Sequence, residues 1–174
     1  YSQGGGNLFG AYVGADDRNA TVNKLQFSQS GLSLPGRDYY LKDDAGTKHI
    51  RSEFLRYVAN MFKAVGADSL TATKNALAIL ELETALAKSH STPVELRDPV
   101  KNYNKFAVKD LNALTPVINW NQFLETYGAN TDTVLVGQPE YFKELSRQLK
   151  SAPLEVWKNK LKLGVMEEAS LGNP

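Results

Sequence analysis

The two histidines of the chain, His49 and His90, are its candidate imidazole ligands for a hydrolytic zinc site. Such a site commonly places two histidines one helical turn apart, with a general-base glutamate between them and a carboxylate ligand further on. His49 and His90 lie far apart in the sequence, neither is followed by glutamate, and cysteine is absent. We therefore predict a surface position at a helix start for His49, a loop position for His90, and neither a metal ligand nor a catalytic residue in this chain.

Adjacent carboxylates are the other groups that could carry out acid–base chemistry. Asp16–Asp17 and Asp43–Asp44 lie in turn sequences, and Glu167–Glu168 lies near the end of a predicted helix. We interpret all three pairs as solvated charges, and Lys158 and Lys162, which share one helix face, as solvated surface. An independent hydrolase that uses these carboxylates is one alternative function.

Composition excludes several classes of protein. With 174 residues, 42% apolar and 22% charged, the chain is typical of a soluble globular domain. A net charge of +1 gives no electrostatic basis for binding nucleic acid or an anionic membrane, and no apolar run is long enough to span a bilayer. The first residues resemble no signal peptide, and the chain does not begin with Met, so we expect a processed product or a fragment.

The segment 29–41 marks a change of period in the sequence. Before it, apolar and polar residues alternate as in a half-buried strand, and after it apolar residues recur at helical spacing. Gly31 permits a positive φ, Pro35 fixes its own φ, and Gly36 frees the next corner. We predict a strand-to-helix turn at which Arg37 and Asp38 bond backbone groups and Tyr39, Tyr40 and Leu41 add apolar contacts.

The remaining pattern predicts a mainly α fold of five to six helices with an N-terminal β-hairpin. We expect residues 1–8, which include three consecutive glycines, to be flexible, and residues 9–174 to form one helical domain. The hairpin should pack on helices or join a sheet supplied by something else. The predicted strands cover 9–13 and 22–28, and 133–136 is a strand or an extended segment. The predicted helices cover 49–65, 68–88, 108–114, 119–127, 139–149 and 153–165. Gly128 should end the fourth of these helices.

The segment Gly31-Leu32-x-Leu34-Pro35-x-Arg37-Asp38-Tyr39-Tyr40 closely resembles one in the neprilysin-like zinc metallopeptidases, the M13 family that includes the endothelin-converting enzymes and bacterial PepO-type oligopeptidases. Further matching segments occur in family order and cover nearly the whole chain from Phe9 onwards. These segments are Tyr12–Asn19, Glu81–Glu83, Arg97–Pro99, Tyr103–Lys105 and Pro139–Tyr141.

The resemblance implies most of the helical, non-catalytic N-terminal domain of such a peptidase, without the segment that starts this domain in the family and would precede Tyr1. In the family this domain caps the catalytic domain and encloses a chamber that admits only short peptides. The zinc ligands and general base would then lie C-terminal to Pro174, so this chain would hold no cofactor and be inactive alone. The implied partners are the catalytic domain of the same polypeptide and peptide substrates.

A chain without cysteine resembles the bacterial branch, which implies a periplasmic or secreted protein, and a cytoplasmic protein is also compatible. A free-standing helical binding or scaffold module, derived from this domain, is the main alternative.

The residues of the shared motifs have structural roles in this interpretation. Arg37, Asp38, Tyr39, Tyr40, Arg97, Asp98 and Asn104 are the family-motif residues. The arginine forks should hold carbonyls or a carboxylate, and the aspartates should cap backbone N–H groups, so we expect Arg97→Ala to destabilise the fold. Glu81 and Glu83 lie within the broad apolar face of the helix predicted over 68–88, so each is either at the edge of that face or paired with a cation.

A covering domain should expose apolar surface, which we expect at the hairpin around Phe9, Tyr12, Leu25 and Phe27.

Overall fold

A computed structural model describes residues 8–126 and 131–172. The predicted flexible segment, except Leu8, and the predicted end of one helix at Tyr127 and Gly128 lie outside the described residues. The chain divides into two compact units. Unit 1 contains Leu8–Ser30 and Ser89–Lys150, and unit 2 contains Gly31–Lys88 and the residues from Ser151 onwards.

The mainly α architecture with an N-terminal β-hairpin is confirmed. The described residues form eight helices, two more than the upper prediction, because α1 and α4 have four residues each and are too short to show a period. In chain order the elements are β1 Phe9–Asp16, β2 Asn19–Gln29, α1 Asp38–Leu41, α2 Ala45–Ala64, α3 Ser69–Lys88, α4 Pro93–Leu96, β3 Lys105–Ala107, α5 Val108–Leu114, α6 Trp120–Thr126, β4 Thr133–Val136, α7 Pro139–Ser151 and α8 Leu154–Gly172. Among the described helices, none is long and apolar enough to cross a membrane.

Unit 1 is built on a four-stranded sheet of order β1-β2-β4-β3. β1 and β2 form the antiparallel hairpin, β2 pairs in parallel with β4, and β3 pairs antiparallel with β4. We expected the hairpin to pack on helices or to join a sheet supplied by something else; among the described residues, this chain itself supplies the other two strands of the sheet, β3 and β4. We did not predict β3, because its three residues are too few to show an alternation of apolar and polar side chains.

One face of the hairpin packs into an aromatic core. Leu25 and Phe27 are buried, whereas Tyr12 is 50% exposed and Val22 is 37% exposed. Pairs of rings in this core have centroids between 4.8 and 6.4 Å apart, and the rings belong to Phe9, Phe27, Trp120, Phe123 and Phe142. The expected open apolar face at the hairpin is thus reduced to its outer side.

Unit 2 packs α2, α3 and α8 around one apolar cluster. The buried members of that cluster are Phe54, Val58, Ala59, Phe62, Ala72, Ala76, Ile79 and Leu163. Local groups set the limits of two of these helices. At the start of α3, the Asp68 carboxylate accepts a hydrogen bond from the Thr71 N–H at 2.8 Å. After the end of α2, Gly66 adopts a φ of +107°.

Apolar periodicity overestimated how much of unit 2 is buried. Ile50 and Tyr57, which are apolar residues at helical spacing in α2, are exposed, and so are Val65, which follows that helix, and Leu77 of α3. In α8, Trp157 is buried and Leu163 belongs to the cluster, whereas Leu161 and Val165 are exposed. Several core positions are alanines, so the helices pack closely and each buries a narrower face than its apolar pattern suggests.

Candidate functional site

The strand-to-helix turn begins at Gly31, whose φ of +85° confirms the predicted positive value. An L side chain at this position would be strained. Gly36 does not adopt a positive φ, so the second glycine is not required by its backbone conformation.

A buried carboxylate of α3, Glu83, organises the turn. One of its oxygens accepts hydrogen bonds from the Ser33 backbone N–H at 2.7 Å and from the Tyr40 hydroxyl at 2.6 Å. The other accepts from the Ser33 hydroxyl at 2.8 Å and from the Lys160 ammonium at 2.9 Å. Lys160 also donates to the Gly31 carbonyl at 2.8 Å. We call Ser33, Tyr40, Glu83 and Lys160 the Glu83 cluster.

The Glu83 cluster suits structural support better than acid–base chemistry. Each oxygen of the fully buried Glu83 carboxylate already accepts two donors, so it has no free lone pair directed at a substrate. Burial, followed by the negative charge of Glu83, raises the pKa of Tyr40 far above its usual range, so this side chain remains a neutral phenol donor. The cluster therefore fixes Gly31, Ser33 and Tyr40 against α3 and α8.

Sequence reasoning identified half of this cluster. We predicted that Glu83 would lie at a rim or pair with a cation, and it pairs with Lys160, while Glu81 is exposed. Lys160 itself was missed. The available signal was a lysine three residues from both Trp157 and Leu163, on the apolar side of a predicted helix, where a cation needs a partner.

Two acidic residues that we interpreted as solvated are not. Glu167 in α8 is half-buried, and burial, followed by the charge of Glu83, raises its pKa. Because the folded state then binds protons more readily than the unfolded chain, the ionised carboxylate opposes folding at neutral pH. Asp16 is buried and accepts hydrogen bonds from the Arg18 N–H at 2.9 Å and the Tyr103 hydroxyl at 3.0 Å. The Arg18 bond is the main reason that the pKa of Asp16 is lowered, so this carboxylate stabilises the hairpin turn as an anion.

The other paired acids, Asp43 and Asp44, lie at the start of α2 and are exposed as expected. Asp44 is the N-cap of that helix and accepts from the Thr47 N–H at 3.0 Å. Asp43 lies 3.5 Å from Arg51, whose guanidinium also donates to the carbonyls of Tyr39 and Lys42 at 2.9 and 2.7 Å.

Arg51 therefore holds the corner at which we expected Arg37 and Asp38 to bond the backbone. The Nε atom of Arg37 is buried without a hydrogen-bond partner, and Asp38 pairs with Lys42 at 3.7 Å on the surface. The prediction is wrong for both residues, because neither side chain bonds a backbone group within the described residues. Tyr40, from which we expected apolar contacts, anchors the turn through its hydroxyl.

The second motif arginine, Arg97, is exposed and its side chain makes no hydrogen bond within the described residues. Asp98 does cap the backbone as predicted, because its carboxylate accepts from the N–H groups of Val100 and Lys101 at 3.0 and 3.2 Å. Asn104 donates to the carbonyls of Lys101 and Val136, both at 3.0 Å, and thereby joins this loop to β4.

Asn102 performs the role we gave to Arg97. Its side-chain amide lies 3.0, 3.0 and 2.7 Å from the carbonyl oxygens of Glu95, Leu96 and Asp98. Glu95 and Thr92 form a capping box at the start of α4. Bonding to the Lys101 ammonium, and then to the Thr92 N–H, lowers the pKa of Glu95 to about 2. This carboxylate therefore stabilises the loop as an anion above its ordinary pKa, and the contribution is lost as the pH falls towards 2.

The described residues do not fit a zinc ion. His49 is exposed near the start of α2 in unit 2. His90 is half-buried in unit 1, with its Nε2 2.9 Å from the Ser30 carbonyl oxygen and its ring edge-on to Tyr141 at 4.9 Å. Throughout residues 8–126 and 131–172, no three side chains of His, Cys, Asp or Glu are grouped so that they could hold a metal.

Comparison with known proteins gives a consistent family match. The model of peptidase family M13 matches residues 1–172. Human endothelin-converting enzyme 1 is 35% identical over 145 residues, which are 80% of this chain and 19% of that protein. An endothelin-converting enzyme homolog of Locusta migratoria is 33% identical over 84% of this chain and 21% of its own length. The chain thus spans about a fifth of the curated relatives it matches.

Solved structures agree with the sequence match. The zinc metalloprotease Zmp1 of Mycobacterium tuberculosis, in its open state, superposes with a TM-score of 0.85 and 28% identity over 93% of this chain and 25% of that chain. PepO from Lactobacillus rhamnosis has the same fold with a TM-score of 0.81 and 21% identity, over 94% of this chain and 26% of its own.

Proposed function

The chain belongs to peptidase family M13 and corresponds to the N-terminal domain of its members, and we propose that it covers the active-site chamber of a zinc metallopeptidase. By covering the chamber it would limit entry to short peptides. In this role the chain acts by steric exclusion and breaks no bond itself. The zinc ion, its ligands and the general base would belong to the part of the polypeptide that follows Pro174.

One observation carries the proposal: the family model extends over nearly the whole chain, yet the sequence has two distant histidines and no His-Glu-x-x-His segment. The fold of the family is thus present without the residues that its chemistry requires. The match to a protein described as a zinc metalloprotease supplies the identity of the implied metal.

The buried polar contacts of each unit support a covering role. A wall that excludes large substrates must keep its shape, and satisfied buried hydrogen bonds give a segment one defined conformation. In unit 2 the Glu83 cluster holds the strand-to-helix turn, and in unit 1 the Asn102 amide holds three carbonyls of the loop that contains α4.

The open reading frame, or the intact mass of the native protein, provides the first test. A polypeptide several times longer than 174 residues with a His-Glu-x-x-His segment supports the proposal. A gene that ends near Pro174 would contradict it and would favour the free-standing binding module.

The covering role requires a second test on that longer polypeptide. One cleavable sequence is embedded in peptides of increasing length and in an unfolded protein, and kcat/KM is measured for each. The proposal expects kcat/KM to fall steeply beyond a threshold length, while a peptide with changed flanking residues but the same length serves as the control. Equal kcat/KM for short peptides and the unfolded protein would contradict steric gating.

A further inference from the structure

The side chain of Arg37 has neither a hydrogen-bond partner nor a counter-ion within the described residues. Arg37 directly precedes α1 in unit 2 and is half-buried. Its Nε atom is buried without a partner, whereas its two terminal nitrogens reach the surface. Across residues 8–126 and 131–172, Nε of Arg37 is the one buried side-chain nitrogen or oxygen that lacks a hydrogen bond. Since buried polar groups are nearly always bonded, this exception needs an explanation.

The other arginines of the described residues are either bonded or exposed. Arg51 in α2 is also half-buried, and its guanidinium donates to two carbonyls and lies 3.5 Å from the Asp43 carboxylate. Arg97 makes no hydrogen bond within the described part of the chain, but it is exposed, so bulk water solvates its charge. Arg37 alone among them combines partial burial with the lack of any partner.

None of the acidic side chains of this chain neutralises Arg37. The sequence contains 19 Asp and Glu residues, and all of them lie within the described residues. None of these carboxylates forms an ion pair with Arg37. The nearest in sequence, Asp38, pairs with Lys42 at 3.7 Å instead. A side-chain counter-ion for Arg37 therefore has to come from outside this chain.

The turn that contains Arg37 is held by other groups. The Glu83 cluster holds its first half, and Arg51 holds the end of α1 through two carbonyls. Arg37 therefore adds no side-chain bond to the fold of this chain, while the partial burial of its charge costs hydration free energy. A charge that costs stability within the chain indicates a partner outside it.

We propose that Arg37 is a binding site for a carboxylate that comes from outside this chain. A guanidinium remains positively charged at every pH at which proteins fold, so it gains most from a partner that carries negative charge. Its terminal N–H groups form a planar fork whose spacing matches the two oxygens of a carboxylate. Because Nη1 and Nη2 are the atoms that reach the surface, a carboxylate can bind end-on to both without entering the core.

Such a carboxylate has two sources, which share the same recognition chemistry. One is an acidic side chain in another part of a longer polypeptide, and the other is a small carboxylate ligand in solution. The two are separated by whether the effect of Arg37 needs the longer polypeptide or an added ligand. Neither source involves the covering role, and the second needs only the 174-residue chain.

Thermal unfolding of the 174-residue chain, in a buffer without carboxylate or phosphate ions, gives the first test. Arg37→Met retains the apolar stem and removes a charge that has no partner, so the midpoint should stay unchanged or rise. Arg51→Met is the matched control, because it removes a half-buried guanidinium that is bonded, and it should lower the midpoint by about 3–10 °C. A similar fall for Arg37→Met would overturn the proposal, because the guanidinium would then support the fold from within the chain.

Adding a carboxylate tests the free ligand. Sodium succinate at about 50 mM should raise the midpoint of the wild-type chain by at least about 2 °C and that of Arg37→Met by less than about half as much. Sodium chloride at the same ionic strength is the control for screening. A rise with inorganic phosphate but not with succinate would overturn the assignment to a carboxylate.

The longer polypeptide tests the side-chain source. There, Arg37→Met should lower the midpoint by at least about 3 °C, because it leaves a partly buried carboxylate unpaired. Arg37→Lys keeps the charge but lacks the fork, so it should recover only part of that loss. A fall in the longer polypeptide without a succinate effect assigns the carboxylate to a side chain, and a succinate effect without that fall assigns it to a free ligand.

An unchanged midpoint for Arg37→Met in the longer polypeptide, together with no specific effect of succinate, would overturn the carboxylate site. The covering role fails separately from it. A gene that ends near Pro174 would overturn the covering role, and the succinate measurement on the 174-residue chain would then decide alone whether Arg37 binds a carboxylate.

Discussion

Replacing Lys160 by methionine should destabilise the fold strongly, because it leaves the Glu83 carboxylate buried without its counter-ion. Methionine retains most of the apolar stem of lysine, so the variant removes the charge with little change in packing volume. Glu83 is fully buried and Lys160 is 6% exposed, so water cannot replace the lost contact without local opening. Removing one partner of a buried ion pair typically costs about 3–5 kcal/mol.

The hydrogen bonds of the cluster place the expected cost near the lower end of that range. The Lys160–Glu83 contact at 2.9 Å is a charge-assisted bond worth about 1.5–3 kcal/mol, and the bond to the Gly31 carbonyl adds about 1 kcal/mol. The three remaining donors to Glu83, which belong to Ser33 and Tyr40, still solvate the charge in part. We therefore expect a loss of about 3 kcal/mol.

Urea denaturation followed by circular dichroism measures this loss. With a slope of about 2 kcal/mol per molar urea, the midpoint should fall by about 1.5 M. Lys74→Met, on the exposed surface of α3, is the matched control and should change stability by less than about 0.5 kcal/mol.

A double-mutant cycle separates the ion pair from general damage to the core. Glu83→Gln removes the buried charge, so Glu83→Gln combined with Lys160→Met should lose less than the sum of the single losses, by about 1–3 kcal/mol. The reasoning is refuted if Lys160→Met costs less than about 1 kcal/mol, or if the two losses simply add.

Three other measurements address the loop, the titrating carboxylates and zinc. Asn102→Ala should lower the free energy of unfolding by about 1–3 kcal/mol, because three loop carbonyls lose their donor. Arg97→Ala should change it by less than about 0.5 kcal/mol. A lower urea midpoint for Arg97→Ala than for Asn102→Ala would contradict the conclusion that Asn102 holds the loop. Glu95→Gln should lower the thermal midpoint at neutral pH but not near pH 2, and Glu167→Gln should raise it at neutral pH but not below about pH 4. A thermal midpoint difference that is independent of pH for either variant would count against the pKa shift. The 174-residue chain should retain no zinc after dialysis, and elemental analysis that finds about one zinc per chain would show that its histidines bind metal after all.

Local sequence signals predicted the features that depend on neighbouring residues in the chain. The Asp68 cap, the glycine after α2 and the positive φ of Gly31 all depend on groups within a few residues, and the structure has each of them. The hairpin and every long helix were likewise predictable from period 2 and period 3.6, because burial of one face imposes those repeats. The ordered motifs identified the family, and the absence of a metal-binding motif could be read directly from the sequence.

Tertiary structure alone decided which of these side chains meet. Glu83 and Lys160 are 77 residues apart, and no local pattern shows that one neutralises the other. Arg97 and Asn102 occupy the same loop, yet only the folded backbone brings three carbonyls within reach of the amide and leaves the guanidinium in water. In α8 the sequence shows apolar residues on both sides, and which side is buried depends on the helices packed against it. A periodic pattern records that a residue is apolar, whereas burial depends on neighbours that are distant in the sequence.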